Sequence, residues 1–425
     1  MTTRLLLAAI PLVLALLLLS CSPASNIDRI GKTGPTVRVC IADPASALIC
    51  GLQAGAIIET DRKQYTLQDS SRLTCLLEGD GQLRVRVGTT EIADAGTVFR
   101  CWYRDGTKYF LLDGRRYSDT LLLTTDGKRL YAVNTLPLER YLGGVVANEI
   151  GTVRTEDEIE AVKAQAVLAR TYALMKIELP LTRLFDVYSD ARDQVFTGME
   201  YQTELSVRAV RATAGQALSF EGKLAECYYH GTCGGSTEAV SLVWKRPQSK
   251  PYLVGVKDAG RHGSYCAMSP SYRWTETYQR AELEGILRTH LPAASDSMSA
   301  ANLSAAQWHL LDLRILGRMP SGRVSRLGII MGNRSRQWKY AIDADRIRWA
   351  FRRPDAHSIL RSGLFDLEIA RDANQWITSV TVRGGGNGHG IGFCQWGAIG
   401  RAKKGFLAGE ILQAYFPGTA IVEGY

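Results

Sequence analysis

Through the first third of the chain, apolar and polar residues alternate. TVRVCIA from Thr36, LRVRVG from Leu83, KYFLLDG from Lys108 and DTLLLTTDGKRLYAVN from Asp119 are strand patterns divided by Asp-Gly turns. The run TTDGKR sits inside the last of them as a hairpin turn. After Leu136 the period lengthens, and PLERYLGGVVANEI reads as a helix that delivers Glu149 near its end. A second helix, TEDEIEAVKAQAVLARTYALMKIEL, opens on a capping box of Thr155 and Glu158, with acids crowding the turn where the helix dipole favours them. Its Ile159, Val162, Ala166, Ala169 and Ala173 share a face and are mostly small enough for close packing. Lys163 and Arg170 line one side of it, about 10.5 Å apart, a pattern that a solvated basic edge also produces.

Further on, a helix from about Leu205 to Ala214 and the strand GQALSFEG precede AECYYHGTCGGSTEAV. Residues 275–355 read as helices followed by the strands RVSRLGIIMG and QWKYAI. The strand WITSVTVRG opens into GGNGHGIGFCQWGAIGRAKKGF, and AGEILQAYF is a last helix. The fold class is therefore α+β, with a β-rich part at 36–135 and a helix-containing part at 136–425 that carries a variable α/β segment at about 275–355. No internal repeat or heptad appears, so solenoid and coiled-coil readings fall away.

The first residues change the picture of where this chain works. MTTRLLLAAIPLVLALLLLSCSPAS has one arginine and then an uncharged apolar run from Leu5 to Leu19. That run is shorter than the ~20 residues of a spanning helix, which argues against an uncleaved anchor, and it ends in a Leu-Leu-Ser-Cys resembling a bacterial lipobox. Residues 1–20 are expected to be a signal peptide, Cys21 the lipidated residue and 22–35 a Ser/Gly/Pro tether. The expected location is the bacterial envelope, at the periplasmic face of the outer membrane because Ser22 is not an aspartate, with membrane contact through the lipid. A net charge of +9 suits an anionic partner such as wall polymer or acidic lipid. Zinc-finger spacing, RNP-like aromatics and dense Lys/Arg blocks are absent from the sequence, so nucleic acid is not an expected partner.

Three stretches carry candidate chemistry. Glu149 follows the apolar run VVAN, and partial burial raises a carboxyl pKa toward the range useful for proton transfer. GGGNGHGIGFCQWGA sets His389 among glycines that let a backbone approach a ligand, or make a tight turn with a surface histidine; it lacks the residues of a phosphate loop or dinucleotide fold. CYYHGTCGG places Cys227, His230 and Cys233 together, and with Cys266 they form a candidate Cys3His zinc site. Disulfides are the other reading for an exported chain. The eight cysteines beyond Cys21 allow 105 pairings, and a Cys233–His nucleophile is a third reading.

Four of these motifs, LPLERYLGGVVANEI, EAVKAQAVLARTYAL, CYYHGTCGGSTEAV with the following VW and PYLVGV, and GHGIGFCQWGA with EILQAYFPGT, stand in the order of the SpoIID/LytB family, which the chain resembles from about Val37 to its C-terminus. The resemblance implies a lytic transglycosylase that cleaves the β-1,4 bond between N-acetylmuramic acid and N-acetylglucosamine in peptidoglycan, leaving 1,6-anhydromuramic ends. Glu149 then serves as catalytic acid, needing no cofactor, and zinc if present is structural. Lys163 and Arg170 are candidates for stabilising charge or holding acetamido and lactyl groups, with Tyr229, His389 and Gln395 as further groove residues. The chain departs from the family in a loop about three residues longer between Glu149 and KAQA, without the Pro and Trp often found there. The alternative function is a non-catalytic wall-binding protein or tether, or an enhancer of a cell-wall amidase as partner.

Overall fold

The alternating stretches build two antiparallel sheets. The computed structural model describes residues 34–60, 63–92, 96–245, 250–294, 308–333, 336–355 and 358–425, so the expected signal peptide, Cys21 and most of the tether lie outside the described residues. In the first sheet Thr36–Ala45, Leu130–Pro137, Thr120–Thr125, Val98–Trp102, Ile57–Glu59 and Gln64–Thr66 lie side by side. The short strand Val187–Tyr188 pairs parallel to Thr36–Ala45 at its far edge. The TTDGKR turn joins Thr120–Thr125 to Leu130–Pro137, with Thr125 opposite Leu130. The second sheet is centred on Ala47–Leu52 and Ser71–Leu77. Its strand Leu83–Val87 buries Leu83, Val85 and Val87 and exposes Arg84 and Arg86, the half-buried alternation that the sequence shows.

Strand Leu130–Pro137 runs straight into helix α1, Leu138–Ile150, and Pro137 at its N-cap is compatible with a helix start. The Thr155–Glu158 box caps a 3-10 turn, Glu156–Glu158, that leads into α2, Ile159–Glu178. α2 is not the one-faced helix of the sequence reading. Val162, Ala164, Gln165, Ala166, Val167, Leu168, Ala169 and Arg170 are all buried, as befits a helix surrounded by other elements. It packs against α1, against α3 (Glu204–Ala212) and, from the far end of the chain, against two helices described below.

The short α4, Val240–Val243, follows the Cys227–Gly235 motif, and after it the chain enters a second core. There Trp274–Gln279, Ile377–Gly384 and Phe365–Arg371 form one sheet, and His309–Arg318, Val324–Gly332 and Gln337–Asp343 another. Helices α5 (Arg280–Ala294) and α6 (Arg346–Ala350) complete it around Tyr278, Leu287, Leu327, Phe351 and Val380. The expected variable segment 275–355 thus lies within a longer unit whose core runs from Tyr278 to Val382 and begins with a strand rather than a helix. The chain then returns to the first core. Phe393–Cys394 pairs parallel to Tyr229–His230, and helices α7 (Gln395–Ala402) and α8 (Ala408–Tyr415) settle on α2. A parallel pair needs a long crossover, and here the crossover is the whole second core.

Candidate active site

Glu149 occupies the last turn of α1, half-buried, in a cavity of about 370 Å³ lined also by Tyr172, Asp193, Tyr229, Trp244, His389 and Gln395. Three neutral donors reach its carboxylate. The Val195 N–H lies 2.8 Å from Oε1, and the Tyr229 hydroxyl and the Gln395 amide also hydrogen-bond the group. The Val195 amide can come this close because α1 carries Gly144. A Cβ there would stand 2.6 Å from the Gly198 carbonyl oxygen and 2.7 Å from the Phe196 ring. The Asn148 side chain fastens the same loop through Thr197, at 2.9 Å.

A relay orients Tyr229. Tyr141 donates its hydroxyl proton to Gln194 Oε1 at 3.1 Å, which turns Gln194 Nε2 toward the Tyr229 oxygen at 3.0 Å and leaves the Tyr229 proton for Glu149. Burial pushes the Glu149 carboxyl up from 4.5 to about 7, although all three donors pull the other way. Among the described residues no cation contributes to that shift; Arg192, which also lines the cavity, is paired with Asp43 and Asp190. The other carboxylate lining the cavity, Asp193, is fully engaged. Lys176 and the Tyr172 hydroxyl hold Oδ1 at 2.6 and 2.5 Å, and the Tyr188 N–H holds Oδ2 at 2.8 Å.

His389 is a brace rather than a proton carrier. Nδ1 accepts from the Ile391 N–H at 3.0 Å, so the proton sits on Nε2, which donates to the Tyr229 carbonyl at 3.0 Å. Burial lowers its pKa to about 4 and keeps the ring neutral. His230 is buried beside it. Its Nδ1 donates to the Ile391 carbonyl at 3.1 Å, and Nε2 has no hydrogen-bond partner among the described residues.

Tyr229, His389 and Gln395 therefore meet Glu149, whereas Lys163 and Arg170 do not. Arg170 is fully buried on α2 and forks onto Glu139 of α1, with Nε to Oε1 at 2.5 Å and Nη2 to Oε2 at 2.8 Å; its remaining donors reach the carbonyls of Val210 and Gln216. No polymer can touch it. Lys163 pairs with Glu160 at 2.7 Å, and Glu160 in turn accepts from the Ala408 N–H at the start of α8. Arg170 ties α1, α2 and α3 together, whereas Lys163 pairs within α2. The proposed Cys3His zinc set also comes apart, because Cys227 donates its thiol to the Ala225 carbonyl and His230 faces Ile391, while Cys233 and Cys266 lie deeper. No disulfide joins any of the eight described cysteines.

Sequence reasoning missed Gln194, Val195, Asp193 and Trp244. Val195 acts through its amide, which no side chain reveals, and Gln194 sits in a loop, DQVFTG, without any periodic pattern. It also missed a second cavity of about 700 Å³, which shares Ala191, Trp244 and His389 with the first and continues over Lys245, Arg346 and Trp349 of the second core. Trp349 is 52% exposed there and offers an aromatic face to the groove.

Comparisons with known proteins give a consistent picture. The chain matches the family model for stage II sporulation protein, SpoIID, over residues 126–220, and that for a domain of unknown function, DUF8618, over residues 259–392. It is similar to an uncharacterized protein of Brachyspira hyodysenteriae, 27% identical over 345 residues that make up 81% of each chain. The stage II sporulation protein D of Bacillus subtilis is 29% identical over 69% of this chain and 76% of its own. The amidase enhancer of Bacillus subtilis is 28% identical over 66% of this chain but only 40% of its own length.

Proposed function

The chain belongs to the SpoIID family, and from that premise we propose that it is a peptidoglycan lytic transglycosylase with Glu149 as its only proton-transfer group. One observation carries the reading: a half-buried carboxyl held near pKa 7 by burial, in a cavity whose other carboxylate has both oxygens engaged. A glycosidase that uses water or a covalent intermediate needs a second working carboxylate. Intramolecular transfer does not.

In this mechanism Glu149, protonated at rest, donates its proton to the glycosidic oxygen as the bond to C1 of the muramic sugar breaks. The resulting carboxylate is held by the Val195 N–H, the Tyr229 hydroxyl and the Gln395 amide, so its charge is met by donors already in place. It then removes the proton from the C6 hydroxyl of the same sugar as that oxygen closes on C1. The product carries a 1,6-anhydro ring, and Glu149 regains its proton. His389 works at one remove, fixing the Tyr229 backbone. The adjoining groove over Trp244 and Trp349 supplies room and aromatic surface for further sugars of the strand.

Digestion of purified glycan strands by the mature protein, followed by mass spectrometry of the fragments, tests this. Anhydromuramic ends are expected, whereas reducing muramic ends would mean hydrolysis. A second reading, enhancement of a separate amidase, is favoured by the name of one Bacillus subtilis relative. It predicts no glycan cleavage by the protein alone and a gain in amidase rate that Glu149→Gln leaves unchanged.

A further inference from the structure

Behind the Glu149 cavity, three sulfurs and a carboxylate converge in the dry interior. Cys233 Sγ lies 3.5 Å from Cys266 Sγ and 3.5 Å from Asp258 Oδ2. Cys394 Sγ completes the group, and the four ligand atoms all lie within 4.8 Å of one another. All four residues are fully buried. A tetrahedral zinc site with ~2.3 Å zinc–sulfur bonds has edges of about 3.8 Å, so these side chains need only small adjustments to enclose such an ion.

Backbone donors already point at two of the sulfurs. Cys394 Sγ faces the backbone N–H groups of Cys233 and Gly397 at 3.2 and 3.3 Å, and Cys233 Sγ faces the Gly235 N–H at 3.4 Å. Donors aimed at sulfur favour its ionised form. Asp258 is oriented as a ligand with a second layer of support. Its Oδ1 accepts from the Tyr415 hydroxyl at 2.8 Å and from Arg401 at 3.2 Å, which leaves Oδ2 toward the cysteines. Gly397 is required for this, since a Cβ there would collide with Asp258 Oδ2 and the Tyr415 hydroxyl. Two buried guanidiniums flank the cluster: Arg401, and Arg323, which donates to the Cys233 carbonyl at 2.8 Å. Three thiolates and one carboxylate carry four negative charges; a divalent cation and these two arginines carry four positive ones.

We propose that Cys233, Cys266, Cys394 and Asp258 bind one zinc(II) ion as a closed structural site. The ion ties together three segments that are distant in sequence: the HGTCGG loop, the loop from Asp258 to Cys266, and the start of α7. Cys394 immediately precedes Gln395 and pairs in register with His230, so the site anchors two walls of the Glu149 cavity without taking part in the chemistry. It holds whether or not the protein cleaves glycan.

The test is elemental analysis of the full chain purified without chelator, together with the absorption spectrum after cobalt(II) replacement. One zinc per chain is expected, and the cobalt form should show the sulfur-to-metal charge-transfer band and intense visible bands of a tetrahedral thiolate site. Cys227→Ser should keep the metal, because that thiol lies outside the cluster, whereas Cys266→Ser and Asp258→Ala should lose or weaken it. Should those two variants not fold, the wild-type stoichiometry and cobalt spectrum decide alone. Two results would overturn the proposal. One is metal-free protein with a Cys233–Cys266 disulfide in its peptide map. The other is metal-free protein whose three thiols alkylate equally fast with and without added zinc and whose melting temperature zinc does not move.

Discussion

Helix α1 carries two glutamates ten residues apart, and they live in opposite environments. Glu139 stands in the first turn, where the helix dipole favours a negative charge, and is forked by the buried Arg170. Glu149 stands in the last turn, where the dipole opposes a negative charge, and its donors are neutral. One carboxylate is therefore locked to a guanidinium in a contact that holds three helices together. The other is left free to exchange its proton. A buried acid becomes available for catalysis through what is withheld from it, here a cation, as much as through what is supplied.

The largest effect is expected at the structural end. Arg170→Met leaves the Glu139 charge buried without its partner and should lower unfolding stability by about 3–5 kcal/mol in denaturant titrations, with Glu139→Leu added to it recovering much of the loss. A cost under about 1 kcal/mol would erase the contrast between the two glutamates. At the other end, Glu149→Gln should fold normally and lose at least about 10²-fold in turnover if the proposed reaction is right.

The same substitution sharpens the comparison through pH. Glu149 binds its proton more tightly folded than unfolded, so its contribution to stability is complete below about pH 4.5, declines as the pH rises toward about 7 and is constant beyond. Glu149→Gln should therefore be more stable than the wild type by about 1–3 kcal/mol at pH 8, and little different at pH 4. Wild-type turnover should fall as the pH rises through about 7, the signature of an acid that must be protonated at rest. A melting curve of Glu149→Gln parallel to the wild type at both pH values would mean that the carboxyl is not strained by burial. Smaller effects follow. Trp349→Ala should raise KM for long glycan strands several-fold and leave short fragments unaffected, and Lys163→Met should change stability by less than about 1 kcal/mol, as expected of a partly solvated pair within one helix.

How far these roles were legible in the sequence depends on the distance over which each residue finds its partner. The strands and α1 follow local periodicity, and Glu149 is conspicuous as one acid closing an apolar run. Arg170 looks identical in sequence whether solvated or buried; its meaning lies in Glu139, 31 residues earlier, and in an α2 enclosed on all sides. The cysteines mislead for the same reason. Cys227 and Cys233 are neighbours in CYYHGTCGG, but the sulfurs that meet Cys233 come from Cys266 and Cys394, and the parallel pairing that delivers Cys394 has no local signal.

That pairing also sets an order of events. Glu149, α1 and α2 can assemble from the first half of the chain, but Gln395 and His389 arrive only after the second core has been synthesised and folded between the two strands they depend on. Contacts over such separations form late. A chain interrupted anywhere in the second core therefore holds the acid without the histidine that fixes the Tyr229 backbone and without one of the three donors to the carboxylate. The Glu149 cavity is thus a composite, closed by two stretches of chain that lie on either side of the second core in sequence.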